Sequence, residues 1–531
     1  MKHIVIGGAW PYANGSLHIG HIAALLPGDV LARYHRAKGD HVFYISGSDC
    51  HGTPITVRAQ QEGETPRHIS DRYHREFCAL FESLGFSYDL YTKTSDRKHR
   101  SFVKEFHRQL YRSPLIEERT VCQAYCPACQ KTLTGRQLVG SCPHCGASAH
   151  GDQCDTCGAL LEVDAVAHPR CAACGGEVTF GETEHLFILI SRLRRELCDY
   201  LEAHPHWRKN AIAFTKRYID EGLRDRAITR DLTWGIRVPR AEYEDKRIYI
   251  WAENVLGYLS ATATLCDAQG IDFREVYGEG ADTRHYYVHG KDNIPFHTII
   301  LPALLLAHGG GWHLPDEIIS SEYLTLDGAK ISTSQNHAIW AKDLVAAYDP
   351  DVIRYFMLVN GPERRDADFS LREFRERNNA ELVGAWGNFV NRTLAFIAKY
   401  EDRHMPQEAV SEEICARVAQ TYAQVGECIE KGAFKEALEK IFEVVHFGNR
   451  YYDAAQPWKT RTEDSAACRR ALADCSYLIA NLAVLLRPFL PFSCEKLSRW
   501  LGVSADWRPQ RVGATYLSDD LALLYTRLDE V

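Results

Sequence analysis

No run of apolar residues in this chain approaches the ~20 needed to cross a bilayer, so no membrane span is expected. There is no low-complexity segment and no excess of positive charge: 62 Lys and Arg stand against 70 Asp and Glu, a formal net charge of −8. An acidic balance speaks against indiscriminate coating of nucleic acid and against a DNA-binding role. It still leaves room for local basic patches on RNA phosphates. No leader is expected, because Met1-Lys2-His3-Ile4-Val5-Ile6-Gly7-Gly8 enters a strand pattern at once, and a cytoplasmic location follows as the expectation. What is plentiful is cysteine, 18 residues in 531, and without a leader these do not read as a secreted disulfide framework.

Strands and helices alternate along the first part of the chain. Residues 3–8 read as a strand meeting a Gly-rich turn, His18 to Lys38 as a helix, 41–47 as a second strand and Pro66 to Leu84 as an amphipathic helix. Such alternation predicts a parallel sheet covered on both faces. The pattern breaks near residue 120 into a segment rich in Cys, Gly and Pro, and helical character is expected from Ser191 to about Arg226. Strand signals return at Arg247–Trp251 and His285–Val288, and a helix is expected from Pro295. From about Leu371 the texture is helical, with three-and-four spacing at Glu381–Tyr400, Glu412–Lys431, Lys435–Asp453 and Cys468–Leu486. The expected divisions are 1–115 and 233–315 for two halves of one α/β domain, 116–232 for an insertion with its knuckles at about 122–182, 316–370 for a mixed segment, and 371–531 for a helix bundle.

Eight of the cysteines form four Cys-x-x-Cys pairs: Cys126/Cys129, Cys142/Cys145, Cys154/Cys157 and Cys171/Cys174. The last three pairs are followed at once by Gly146, Gly158 and Gly175, which permit the turn that aims two thiolates at one ion. Eight thiolates make two tetrahedral sites, so two structural zinc ions per chain are expected. Disulfides and buried apolar cysteines are the bland alternatives, opposed by the spacing. Joining Cys142/Cys145 to Cys154/Cys157 leaves Cys126/Cys129 and Cys171/Cys174 to close an outer site, although spacing alone does not fix that pairing.

Pro11 to His21 lies between the first strand and the first helix, where α/β sheets bind phosphates. Gly20 lets a nucleotide approach the backbone, and His18 and His21, three apart, share one face. Two histidines near a helix start are often only surface or core groups; the string His18-Ile19-Gly20-His21 at a strand–helix junction weighs against that. It resembles the HIGH motif of class I aminoacyl-tRNA synthetases, and Lys330-Ile331-Ser332-Thr333-Ser334 resembles their KMSKS loop. Trp10-Pro11-Tyr12-Ala13-Asn14-Gly15, Ser48-Asp49-Cys50-His51-Gly52-Thr53-Pro54 and Gly290-Lys291-Asp292-Asn293-Ile294-Pro295-Phe296-His297 are similar to blocks of the methionyl-tRNA synthetase family, as is a multi-knuckle zinc insertion. The resemblance covers essentially the whole chain. It implies a Rossmann-type parallel sheet split by a zinc-knuckle insertion and followed by an α-helical anticodon-binding bundle.

The same resemblance implies ATP-dependent attachment of methionine to tRNA(Met), initiator included, through methionyl-adenylate, with Mg²⁺ accompanying ATP. His18, His21 and Lys330 would then stabilise the charge developing at phosphorus, and Gly20, Asp292 and Thr333 would join them in holding ATP. Thr333 stands where a second lysine is usual, and a hydroxyl supplies no cation to the leaving pyrophosphate; either Lys330 suffices or a nearby cation substitutes. Trp10, Tyr12, Trp251, Asn254, Tyr258, Phe296 and His297 would line the side-chain pocket, where aromatic walls suit a thioether. Asp49 would hold the substrate ammonium. Trp10, Leu301, Asn254 and Cys50 depart from the common pattern: Asn254 is expected to bond a backbone group or Tyr258, Trp10 to fill the space left by Leu301, and Cys50 to be a small buried residue. Asn388, Arg392 and Trp458 match the anticodon-reading positions, where splayed bases stack on aromatics and bond to Asn and Arg. A monomer is expected. The main rival is a tRNA-independent amino-acid adenylating or ligating paralogue, and a remoter one is a catalytically idle zinc-containing RNA-binding protein.

Overall fold

The structure, a computed structural model, describes residues 2–133, 137–151, 154, 156–157, 161, 163–331 and 337–529. Five strands carry its catalytic half: β1 (His3–Gly8), β2 (His41–Ser48), β3 (Leu90–Lys93), β4 (Thr283–Gly290) and β5 (Glu317–Ser321). All pair in parallel, in the order β5-β4-β1-β2-β3. Because side chains alternate along a strand, Ile4 and Ile6 enter the core under one face while Val5 enters the core under the other. Val42 and Tyr44 part from Phe43 and Ile45 in β2 in the same way. Strand order reverses between β1 and β4, and such a reversal opens a crevice at the carboxyl ends of the strands. Helix α1 (Ile19–Lys38) starts from that crevice.

The insertion between β3 and β4 hangs from a long antiparallel ladder, Ile116–Cys126 against Thr179–Ile188. A smaller sheet of Leu138–Ser141, Ser148–His150 and Ala167–Cys171 lies beyond it. The helical stretch expected over 191–226 is interrupted: Arg194–Glu202 and Lys209–Asp220 are separated at His204-Pro205-His206-Trp207, where the proline disfavours helix for the residue before it. Of Arg247–Trp251 only Arg247–Ile248 is strand; Trp251–Asn254 is a single helical turn. The expected helix from Pro295 opens with a π-turn, Phe296–Ile300, before Leu301–His308. Glu317–Ser321, within the segment read as mixed, adds the edge strand β5 to the main sheet through β4.

The C-terminal half packs Glu412–Glu430, α3 (Phe434–Ala455) and Ser465–Leu486 against one another. The stretch expected as one helix over 381–400 is two pieces, a π-helix Asn378–Gly387 running into α2 (Asn388–Tyr400). Here α4 is the short helix Pro457–Glu463. Among the described residues no helix follows Leu501; the chain returns across the bundle, where Asn378 donates to the Thr526 carbonyl at 3.1 Å and Asn379 to that of Leu528 at 2.8 Å. Among the described residues no helix is long and apolar enough to cross a membrane.

Candidate active site and RNA-binding face

A cavity of ≈ 1620 Å³ opens at the crevice, and its wall holds Trp10, Tyr12, His18, Gly20, His21, Trp251, Asp292 and Lys330. His18 is the N-cap of α1: its Nδ1 accepts the Gly20 N–H at 3.1 Å, and His21 Nδ1 accepts the His18 N–H at 3.2 Å. Helix starts leave backbone donors without partners, and here two imidazoles satisfy two of them. The cap fixes chemistry as well as shape. A nitrogen that accepts a hydrogen bond carries no proton, so each neutral ring is protonated on Nε2. Burial holds His18 down to about 4 and His21 to about 3, so both are neutral donors at physiological pH. Gly20 is required by His18 itself, since a Cβ there would lie 2.9 Å from the His18 ring.

Behind the cavity wall stand Asp49, Asn254, Tyr258, Phe296 and His297. Asp49 is 1% exposed and follows the tip of β2; its backbone N–H donates to the Pro11 carbonyl at 2.8 Å, which ties it to the Tyr12 loop. Its Oδ1 accepts the His51 N–H at 3.2 Å and its Oδ2 the Asn254 amide at 2.6 Å. Burial and then the neighbouring Glu253 carboxylate push the Asp49 carboxyl well above the usual range. Asn254 thus bonds a neighbour, as expected, but the partner is Asp49 rather than Tyr258 or a backbone group. Tyr258 is already engaged: its hydroxyl donates to His297 Nε2 at 2.9 Å, while His297 Nδ1 donates to the Asn293 carbonyl at 2.8 Å. Both nitrogens of His297 are therefore occupied, and the ring acts as wall. Phe296 packs on Trp251 with centroids 4.7 Å apart. Room for Trp10 comes from Gly47 and Gly257, where a Cβ would come within 2.5 and 2.6 Å of its ring; Leu301 belongs to the same core. Cys50 is buried, as expected, and burial pushes its thiol up to about 12.

Lys330 is exposed at the other side, its Nζ 4.7 Å from the centroid of Tyr323. Lys291 lies 3.7 Å from the same ring but is committed to Glu322 at 2.8 Å and Asp366 at 2.9 Å, and the Tyr323 hydroxyl donates to Asp292. Thr333 lies outside the described residues. Sequence reasoning missed Arg230. The adjacent Asp231 suggests a surface ion pair, yet Asp231 pairs with Lys246 at 2.6 Å and His185 at 3.3 Å. Arg230 stays on the cavity wall, its guanidinium 4.0 Å from the Tyr249 centroid, with carbonyl acceptors and, among the described residues, no carboxylate in ion-pairing range. A second unread feature is a buried group beside Asp49: Glu253 is 0% exposed, bonds His51, and lies 3.8 Å from His99. Neither feature has a local sequence signal.

On the bundle, Asn388 is exposed at the first turn of α2. Arg392, one turn on, donates to Asp453 at 2.6 Å and to the Asn449 carbonyl at 2.5 Å, and stacks 4.4 Å from the Tyr452 centroid. Tyr452 adjoins Trp458, centroids 6.0 Å apart, and Trp458 is 47% exposed. Trp458 is thus held beside an arginine–tyrosine stack with nearly half its surface open to solvent, and is not a core residue.

The eight knuckle thiols gather into two groups, Cys126, Cys129, Cys171, Cys174 and Cys142, Cys145, Cys154, Cys157, the four sulfurs of each within 4.8 Å of one another. Nearest separations are 3.5 and 3.9 Å in the first group and 3.6 and 3.8 Å in the second. Disulfides would need ~2.05 Å. Zn–S bonds of ~2.3 Å in a tetrahedron need sulfurs ~3.8 Å apart, so the residues fit zinc. Gly146 and Gly175 take φ of +74° and +69°, as the spacing implied, and Gln130 takes the same left-handed turn at +50° in the knuckle that lacks a glycine.

Known proteins share this layout. The family model for class I tRNA synthetases (M) matches residues 4–394, and that for the anticodon-binding domain of tRNA ligase matches 411–515. The chain is 49% identical to methionine–tRNA ligase of Bacillus mycoides and to methionine–tRNA ligase 2 of Bacillus anthracis, over 99% of its own length and 97% of theirs. The structure superposes on Mycobacterium tuberculosis methionyl-tRNA synthetase in complex with methionyl-adenylate with a TM-score of 0.81 at 24% identity, covering 99% of this chain and 100% of that one.

Proposed function

The chain belongs to the class I tRNA synthetases, in the methionine–tRNA ligase group, and from that premise we infer how its own residues carry the reaction. It activates methionine with ATP and transfers it to tRNA. In the first step the methionine carboxylate oxygen bonds to the α-phosphorus while the bond to pyrophosphate breaks. In the second the terminal ribose hydroxyl of tRNA attacks the carbonyl carbon and AMP leaves. No protein nucleophile is required; positioning and charge stabilisation suffice. Mg²⁺ bound with ATP would supply neutralisation of phosphate charge.

The observation that carries this reading is the histidine cap. Two rings whose Nδ1 atoms are consumed by the backbone have only Nε2–H left to offer phosphate oxygens, and they sit at the strand-order reversal. Lys330 and Arg230, both on the cavity wall, add cations, and Gly20, Asp292 and Thr333 complete the ATP subsite. Asp49, buried and with no cation in ion-pairing range among the described residues, receives the substrate ammonium. Trp10, Tyr12, Trp251, Tyr258, Phe296 and His297 shape the side-chain pocket, Asn254 holds Asp49 at its ammonium end, and Asn388, Arg392 and Trp458 read the anticodon. Each cysteine group would hold one zinc; with all four ligand positions filled by thiolates, the ion would be structural and would stabilise the insertion. The partners are ATP, L-methionine and tRNA(Met), initiator included, and the enzyme works as a cytoplasmic monomer. A tRNA-independent ligase has no use for an anticodon-binding domain, which this chain carries at 411–515.

Pyrophosphate exchange with each amino acid, with and without tRNA, tests the reading. Methionine should give the fastest exchange, and tRNA should not be needed for it. Trp458→Ala should weaken charging by ~1–3 kcal/mol, the worth of one base stack, and leave exchange intact. Equal loss in both assays would make Trp458 a folding residue.

A further inference from the structure

The anticodon reading uses Asn388, Arg392 and Trp458 but leaves unexplained two cations beside them. Lys399 and Arg461 come from different helices and meet on one ring: Lys399 Nζ lies 5.0 Å and the Arg461 guanidinium 4.2 Å from the Tyr400 centroid. Phe396 steadies that ring, centroids 4.6 Å apart, and Tyr400 keeps 39% exposure. Both cations are exposed.

Some exposed helical cations take an acid one turn away, as Lys431 does with Glu427 at 2.5 Å and Lys216 with Asp220 at 2.9 Å, while others such as Lys98, Arg100, Lys459 and Arg470 have no carboxylate in ion-pairing range among the described residues. Arg392, on the same helix as Lys399, is committed to Asp453. Among the described residues Lys399 and Arg461 pair with no carboxylate; their one shared partner is the ring. The ring's negative face offsets the repulsion of two like charges only in part, since an exposed cation–π contact is worth ~0.5–1 kcal/mol. An anion between them would remove it.

The pair also continues the base-reading elements. At 3.6 residues per turn, Lys399 projects within roughly 20° of Asn388 along α2, and Arg461 follows Trp458 by about one turn along α4. An anion that arrives next to splayed bases is the backbone of the same strand. We propose that Lys399, Tyr400 and Arg461 form a backbone-phosphate site for the tRNA beside its anticodon; the proposal rests on the anticodon reading of Trp458.

The test is equilibrium binding of full-length enzyme to tRNA(Met) and to the same tRNA with an altered anticodon, from 50 to 200 mM salt. The variant Lys399→Gln/Arg461→Gln should bind both RNAs more weakly by the same factor. The slope of log K against log salt should become shallower by about 0.7–0.9, the contribution of one neutralised phosphate. Arg461→Lys, which keeps the charge and changes the packing, should keep the wild-type slope. Pyrophosphate exchange should be unchanged in all variants. An unaltered slope in the double variant, or a loss confined to the cognate anticodon, overturns the proposal. Trp458→Ala separates the two readings: it should penalise only the cognate RNA, and if it does so while the double variant behaves as wild type, the phosphate site falls and the anticodon reading stands.

Discussion

Replacing Asn254 by alanine removes the 2.6 Å bond from its amide to Asp49 Oδ2 and leaves that buried oxygen with no other donor among the described residues. A hydrogen bond to a charged group contributes ~1.5–3 kcal/mol. At ~1.4 kcal/mol per factor of ten, methionine affinity should fall about 10- to 150-fold. The direction with pH follows from the carboxylate. Burial and Glu253 already push Asp49 upward, and losing a donor to its charged form pushes it further. The ammonium requires ionised Asp49, so methionine binding weakens as pH falls, and in the variant that fall begins at higher pH. The assay is pyrophosphate exchange as a function of methionine from pH 6.5 to 9, with other amino acids in competition. Because Asn254 acts on the ammonium end through Asp49, the order of preference among side chains should not change. Unchanged methionine affinity would refute the bond's role. A polar amino acid that outcompetes methionine in the wild type, with methionine restored in Asn254→Ala, would refute the whole assignment and make Asn254 a selectivity residue.

Elemental analysis should find close to two zinc per chain, and Cys142→Ser should cut this to about one while exposing the 138–171 sheet to protease, because small modules depend on their metal for stability. A metal-free preparation with full charging activity would contradict it. Lys330→Ala should slow single-turnover adenylate formation by 10²-fold or more, in the range expected for a lost charge-stabilising group, with little change in methionine affinity; an unchanged rate would remove Lys330 from the mechanism. Burial holds His285 down to about 3 and His297 to about 4. Both are neutral in the fold, whereas in the unfolded chain they take up protons below about 6.5, so stability is full above that pH and declines toward pH 4. The urea midpoint should fall between pH 7 and 5, by up to ~1.4 kcal/mol per pH unit for each group; a midpoint that stays flat would show that the two are not buried as neutral rings.

The parts legible in the sequence are those whose physics is local. The Cys-x-x-Cys knuckles and their following glycines encode a turn within five residues, and the two four-sulfur groups formed as their order along the chain suggested. His18 and His21 were legible for a similar reason, since a cap acts across three residues. The tautomer that the cap imposes needed coordinates. Arg230 was hidden because its neighbour Asp231 offers a plausible partner that the fold gives to Lys246 and His185 instead. Asn254 was read as a polar group in search of a partner, and the partner came from the residue just past β2, 205 residues earlier. Helical periodicity does not distinguish an α-turn from a π-turn, so the segments at Phe296–Ile300 and Asn378–Gly387 read as ordinary helix.

How the two ends of the molecule hold a common frame is written in one buried side chain. Arg354 is 0% exposed and spends its guanidinium on four groups: Asp29 at 2.7 Å, the Leu84 carbonyl at 3.1 Å, and the Phe489 and Pro488 carbonyls of the bundle at 2.9 and 3.0 Å. Burial alone would raise the Asp29 carboxyl; Arg354 and Arg33 hold it down at about 2. Asp29 also accepts the Ser87 N–H and hydroxyl, each at 2.7 Å. A buried ion pair recovers its desolvation cost only when its donors and lone pairs find partners, and here the Asp29 carboxylate accepts four hydrogen bonds and four of the five Arg354 N–H groups donate. The consequence is mechanical. Asp29 lies in α1, the helix whose first turn holds His18 and His21, while Pro488 and Phe489 end the helix packed beside α3 and α4. Through Arg354 the helix that carries His18 and His21 and the helix bundle that carries Trp458 are tied at one buried joint.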